Sequence, residues 1–338
     1  MHRGTEKFIE CNYWSSSIIP YFDRLDYVSS ITQELLCIQI LEKLMNCYDS
    51  CFVSIWRSLL LEFYRNLNHN LNITTHAIDI GLFTTMLWTF EEREKLINFN
   101  ECISGTRFHA TFILIGRLRY DISLFWIDAF IYWLVSYSRQ LKEIHNILSL
   151  NQLWMRRLFE IGILSKNFCL YFGLSGILCR SSNILIDARL TGYEFYYNLK
   201  YSLFISSIGD CMDRYLIRIN EIVESCRIIY AVLYILLGSF NFICYYNNHK
   251  ILMELLIEEF LLCFPLILSF INELKLSLES SKGIYSIYLQ SFPYLTINII
   301  TADYLIINQL NKFSRYINLG DLIVLLGSID FVLGSVDL

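Results

Sequence analysis

The sequence predicts a mainly α-helical chain with a small α/β part at its C-terminal end. Three observations carry this. Only three prolines and 14 glycines occur in 338 residues, too few punctuators for a β-sandwich rich in turns. Apolar residues recur at helical spacing over most of the length, as with Val28, Ile31, Leu35 and Ile38. Two short β-branched or aromatic runs, Ile284–Leu289 and Leu295–Ile300, flank Pro293 near the end and read as strands.

Taken in order, residues 1–25 read as an irregular N-terminal segment. Asp26 is placed to cap a helix running to about Met45. A second helix fits Phe52–Leu67, and the polar run Asn68–Asn72 reads as a break. Thr74 or Thr75 then caps a third helix to about Lys95, and Asn98–Gly105 reads as another break. Helices follow at Asp121–Ser149 and Asn151–Leu164, with Asn167–Tyr197 mostly loop. Asp210–Tyr246 and Ile251–Leu276 read as long helices, and Asp303–Phe313 and Leu319–Gly327 as short ones. The expected division is a segment 1–25, a helical core 26–276 and an α/β segment 277–338, packed as one structural domain.

Composition excludes several functions. The net charge is −5, which argues against nucleic acid as a partner. None of the 11 cysteines forms a Cys-x-x-Cys, so no metal site of that type is expected, and buried free thiols are. Apolar residues make up 55% of the chain and charged residues only 17%. Ile228–His249 carries no formal charge over a length that could span a bilayer, so a membrane span at 228–246 is an alternative reading. The N-terminal MHRGTEKFIECNYW is neither a signal peptide nor an Arg/Ser-rich presequence, which points to synthesis inside an organelle or to a chain incomplete at its start.

The stretch Thr74–His109 is densest in chemistry-bearing residues. His76 and Asp79 stand three apart and share a helix face. The bland reading of such a pair is a structural hydrogen bond. Glu91–Lys95 is a knot of five charges, which usually marks a solvated face with weak pairs. Asp210, Asp213 and Arg214 look like ties at a helix start.

The order of short motifs says more than any one of them. The chain reads HRGTEK at 2–7, YFDRLDYVS at 21–29, EKLMN at 42–46, TTHAIDIG at 74–81, FEEREK at 90–95 and SGTRFHA at 104–110. It continues with NQLWMRRLFEIGIL at 151–164, GLSGILCR at 173–180, GDCMDRYLIR at 209–218, SCRII at 225–229 and GSIDFVLGSVDL at 327–338. This collinear series resembles the 49-kDa subunit family of respiratory complex I, the NADH:ubiquinone oxidoreductase, over nearly the whole chain.

The resemblance implies a helical bundle like that of the [NiFe]-hydrogenase large subunit, with a small C-terminal α/β part. The hydrogenase metal site needs two Cys-x-x-Cys pairs that are absent here, so no nickel or iron is expected. It implies a core subunit of the peripheral arm that forms the ubiquinone-reduction chamber beside a 4Fe-4S cluster held by an adjacent subunit. The chain itself is expected to bind no cofactor. Its implied partners are the cluster-bearing neighbour, the membrane-arm heel subunit and ubiquinone, on the matrix side of the mitochondrial inner membrane. The same context places 228–246 in a matrix-side helix and loop.

By resemblance, Tyr27 hydrogen-bonds the quinone headgroup, and a phenol suits that role because it donates while its ring packs on apolar walls. Asp79 is implied as a proton-exchanging carboxylate, with Thr75 and His76 lining the same cavity. His109 and Arg3 are implied beside the neighbour's cluster. The family's N-terminal β-rich segment, whose Gly-Pro-Gln-His-Pro loop supplies a histidine partner for the aspartate, has no counterpart here. A separate polypeptide or a longer chain is expected to supply it. A rival within the same complex is a scaffold subunit whose quinone site has decayed.

Overall fold

The computed structural model describes residues 4–11, 18–47, 49–238, 273–290, 296–315 and 317–330. Helices dominate. They are α1 Thr5–Cys11, α2 Ile19–Phe22, α3 Ser30–Met45, α4 Cys51–Ile80, α5 Phe83–Ser104, α6 Leu124–Ser149, α7 Gln152–Leu158, α8 Lys166–Tyr171, α9 Ile177–Ser181, α10 Cys211–Gly238, α11 Ala302–Phe313 and α12 Leu319–Ile329. A two-stranded ribbon, β1 Ile113–Leu114 and β2 Arg117–Leu118, and an antiparallel sheet β3 Glu273–Glu279, β4 Ile284–Gln290 and β5 Thr296–Ile300 complete the described fold. The mainly α reading with a small C-terminal sheet therefore holds.

Helix α4 is the axis. It packs against α3, α5, α10 and α12. Ser50 caps its start, accepting the Val53 N–H at 3.4 Å. Gly81 ends it in the left-handed region at φ 95°, where the Gly81 and Leu82 N–H groups close on the carbonyls of Ile78 and Ala77.

The break expected at Asn68–Asn72 does not exist: α4 runs through it as one helix of 30 residues. Asn and His are poor helix formers because their side chains compete for nearby backbone. Here distant groups occupy those side chains instead. Asn68 donates to Ser281 Oγ, His69 meets Glu221 at 2.9 Å, Asn70 accepts from Tyr137 at 2.7 Å, and Asn72 donates to the Gly327 carbonyl at 3.0 Å. The real break is Gly81–Leu82, and the break expected at Asn98–Gly105 narrows to Gly105 at φ 75°.

Other boundaries shift for local reasons. The cap of α3 is Ser29, not Asp26; Asp26 accepts from the Ser29 hydroxyl at 2.6 Å and so supports the cap. Residues 1–25 contain the short helices α1 and α2, with Pro20 in the first turn of α2, where its missing N–H costs nothing. The segment 167–197 carries α8 and α9 as well as loop. Of the helix expected over Ile251–Leu276, residues 251–272 lie outside the described residues, and 273–276 form the start of β3. The run ELKLSLE alternates with period two, and Leu276 and Leu278 turn inward.

In the window 228–246, α10 is described as far as Gly238, and the rest lies outside the described residues. Ile228, Ile229, Val232, Leu233 and Leu236 are buried in the core. No described helix is long and apolar enough to cross a membrane.

Candidate functional site

Two groups of the expected residues stand at different places along α4. His76 and Asp79 occupy its last turns, facing α12. His76 is buried, with its ring centroid 5.2 Å from that of Trp154. It is hydrogen-bonded to the backbone of Val324, and its Nε2 meets no partner among the described residues. Burial, helped by the charges of Arg218 and Arg214, pushes the imidazole down to about 3, so it is neutral.

Asp79 stands on the exposed edge of the same turn, and partial burial raises its carboxyl above the ordinary range. The notch that receives it is Gly327. A Cβ there would stand 2.7 Å from Asp79 Oδ2 and 3.0 Å from His76 Cδ2. Thr75 is exposed one turn before Asp79, and its hydroxyl is turned back on its own helix, toward the carbonyls of Leu71 and Asn72 at 3.1 Å each.

Tyr27 is half-buried in the turn between α2 and α3. That turn is fixed by Asp26, which is buried and receives Lys282 Nζ at 2.8 Å and the Tyr285 hydroxyl at 3.4 Å. His109 is half-buried in the loop between α5 and β1. Asn100 holds that loop through the carbonyls of Thr106 and Arg107, at 3.3 and 3.1 Å, and itself accepts from Tyr64 at 3.0 Å.

The turn carrying Tyr27 and the loop carrying His109 are tied together by two acids that the sequence does not single out. Asp23 accepts the Thr111 N–H at 3.3 Å, and Glu34 accepts those of Phe112 and Ile113 at 2.8 and 3.0 Å. The only signal for Asp23 is its place inside the YFDRLDYVS motif, and nothing in the sequence marks Glu34. On α4 the His109 loop lies beside Tyr64, whereas Asp79 lies fifteen residues further on, about 22 Å along the axis at 1.5 Å per residue. The structure thus joins the segments of Tyr27 and His109, and separately joins His76 with Asp79. Arg3 lies outside the described residues.

The FEEREK knot is less solvated than expected. Glu91 and Glu94 are exposed and Lys95 is half-buried, but Glu92 is buried and accepts the Trp133 indole N–H at 3.0 Å. The GDCMDRY acids do tie a helix start: Asp210 accepts the N–H of Asp213 at 2.8 Å, and Asp213 that of Gly209 at 2.9 Å. Among the described residues no group of three His, Cys, Asp or Glu could hold a metal ion.

Comparison with known proteins agrees with the motif order. The family described as respiratory-chain NADH dehydrogenase, 49 Kd subunit, matches residues 79–338. The NADH-ubiquinone oxidoreductase 49 kDa subunit of Acanthamoeba castellanii is 36% identical over 352 aligned positions, covering 100% of this chain and 86% of that protein. Its counterpart in Reclinomonas americana is 35% identical, covering 100% of this chain and 88% of the relative. The protein of the same name in Pylaiella littoralis is also 35% identical, covering 100% of this chain and 87% of its own length. The chain belongs to the 49-kDa subunit family of the respiratory-chain NADH dehydrogenase, complex I.

Proposed function

We propose that this subunit forms the ubiquinone-reduction chamber at the foot of the peripheral arm, on the matrix side of the mitochondrial inner membrane. It does so with the neighbour that holds the terminal 4Fe-4S cluster, near the membrane-arm heel subunit. The chain supplies walls and proton-handling groups and holds no cofactor of its own. Tyr27 donates a hydrogen bond to a headgroup carbonyl. Asp79 exchanges protons with the headgroup region, and Thr75 and His76 line that side of the cavity. His109 and Arg3 face the neighbour's cluster, where a positive charge favours its reduction and an imidazole can take up a proton when it is reduced.

The observation that carries this reading is Asp79. Its carboxyl is open on one side, raised by partial burial, and seated in the Gly327 notch beside a neutral His76. A carboxyl raised above the ordinary range keeps its proton to higher pH than an ordinary surface acid, which suits exchange with a headgroup.

The test is quinone reductase activity of the assembled complex carrying Asp79→Asn or Tyr27→Phe. The expected outcome is a loss of about ten-fold or more in NADH:ubiquinone activity. NADH oxidation by an artificial acceptor, which bypasses the quinone chamber, should be unchanged. Full quinone reductase activity in both variants would instead establish a scaffold whose quinone site has decayed.

A further inference from the structure

We propose that Asp23 and Glu34 form a proton store, a buried carboxyl pair that shares one proton and delivers it to the reduced quinone headgroup. The inference rests on the quinone-chamber reading above and adds a donor to it.

The geometry comes first. Both side chains are 0% exposed. One oxygen of each is occupied by backbone: Asp23 Oδ2 by the Thr111 N–H, and Glu34 Oε2 by those of Phe112 and Ile113. The two remaining oxygens, Asp23 Oδ1 and Glu34 Oε1, are buried and receive no N–H or O–H from elsewhere among the described residues. The N–H groups they accept belong to three consecutive residues, Thr111 to Ile113, so the two carboxyls stand side by side. Two carboxyls so placed can bond each other only if one of them carries a proton.

The surrounding charges lead to the same conclusion. Several other buried acids of this fold have buried cations against them: Asp26 has Lys282, Glu42 has Arg57, and Glu221 has Arg180. Among the described residues no buried cation faces Asp23 or Glu34. Arg24, on the same turn, is exposed and donates to the Pro20 carbonyl. Arg119, just after β2, donates to the Thr111 hydroxyl at 2.9 Å and lies over the Tyr120 ring. Cys37 on α3 and Tyr64 on α4 face the pair and are both held neutral by burial and by the acids themselves. Two carboxyls in contact in such surroundings do not both ionise. Burial and the Glu34 charge push Asp23 up to about 10, and burial raises Glu34 as well. Both shifts run toward a proton kept on the pair at neutral pH.

The position suits a donor. Asp23 and Tyr27 belong to the same short turn, and the N–H groups bound by the pair begin just after His109. Reduction of a quinone takes two electrons and two protons. A headgroup oxygen that has gained electrons but no proton is strongly basic, so it can draw a proton from an acid that stays loaded against neutral water. In that step an O–H bond breaks at the pair and one forms at the headgroup oxygen. A proton from bulk water replaces it at the pair in the same step, so the two carboxyls are never ionised together.

Glu34→Gln separates this role from a structural one. The glutamine oxygen accepts the same two N–H groups and its amide donates to Asp23, so the bonds of the protonated pair persist without a transferable proton. In the assembled complex the variant should keep wild-type assembly and wild-type NADH oxidation by an artificial acceptor. Its quinone reductase activity should fall about ten-fold or more, with a changed alkaline limb of the pH–rate profile. Wild-type quinone reductase activity and an unchanged profile would overturn the proposal and leave the pair as a loop clamp. Should Glu34→Gln fail to assemble, Asp23→Asn is the mirror test. The reduced-minus-oxidised infrared spectrum of the wild-type complex is a further one: a deuterium-sensitive band of a protonated carboxyl must change on quinone reduction, and its absence would refute the store. Asp79→Asn and Tyr27→Phe serve as controls. If they too retain quinone reductase activity, the chamber reading fails; if they lose it while Glu34→Gln does not, only the store fails.

Discussion

The middle and the end of α4 treat buried polar residues in opposite ways. In the middle, buried ions are matched. Glu62 meets Arg65 at 3.3 Å and Arg189 at 3.3 Å and accepts from the Tyr196 hydroxyl at 2.5 Å; His69 meets Glu221 at 2.9 Å. Glu221 in turn faces Arg180, which also meets Glu279 at 2.8 Å. At the end of the same helix, His76 has the charges of Arg218 and Arg214 near it and no acid paired with it, and Asp79 has no cation against it, among the described residues. The Asp23–Glu34 pair belongs with the second kind. The difference teaches how to separate architecture from chemistry in a charge-rich core. Compensated ions hold segments together, whereas uncompensated ones keep a protonation state that can change.

The comparison breaks most visibly if a compensated ion proves dispensable. Arg180→Met leaves Glu221 and Glu279 buried without their cation, which should cost about 3–5 kcal/mol. The expected result is little or none of the subunit in the assembled complex on native gels. A variant that assembles normally would remove the distinction.

His76 gives a smaller, pH-dependent effect. Its ordinary value of 6.5 falls to about 3 in the fold. Between those values the unfolded chain binds a proton that the native state does not, so stability is full above pH 6.5 and declines as pH falls toward 3. The slope from this one group approaches about 1.4 kcal/mol per pH unit. Unfolding midpoints followed from pH 7 to 5 should show a shallower decline in His76→Leu than in wild type.

The smallest effect is expected on the surface. Glu94 and Arg107 pair at 2.6 Å but are both about half exposed. Glu94→Ala should change the melting temperature by the equivalent of less than about 1 kcal/mol. A loss as large as that of Arg180→Met would show that this pair is covered in the assembled complex.

Much of the fold is legible in the sequence because it is local. Helical spacing locates α3, α6, α10 and α12, and alternation locates β4 and β5, each from residues within a few positions of one another. The errors share one cause. Asn68–Asn72 reads as a break by propensity, and only partners far away in the chain make it helical. The start of β3 is hidden inside a longer apolar run, although ELKLSLE alternates on inspection. The site is half legible. TTHAIDIG puts His76 and Asp79 on one turn, and the structure keeps them there against Gly327. That Asp23 and Glu34 meet across a turn and a helix depends on how α2 packs on α3, which no spacing rule expresses.

The asparagine-rich middle of α4 also bears on the order of synthesis. Its side chains bond to Tyr137, Glu221, Ser281 and Gly327, which leave the ribosome long after Asn68 does. Until then this stretch has every reason to bond its own backbone and little reason to stay helical. The longest described rod of the subunit, about 45 Å at 1.5 Å per residue, therefore straightens last, although it is translated early. A nascent chain stalled before residue 281 should present a hinged α4, a hydrophobic surface for a chaperone to hold until the C-terminal third arrives.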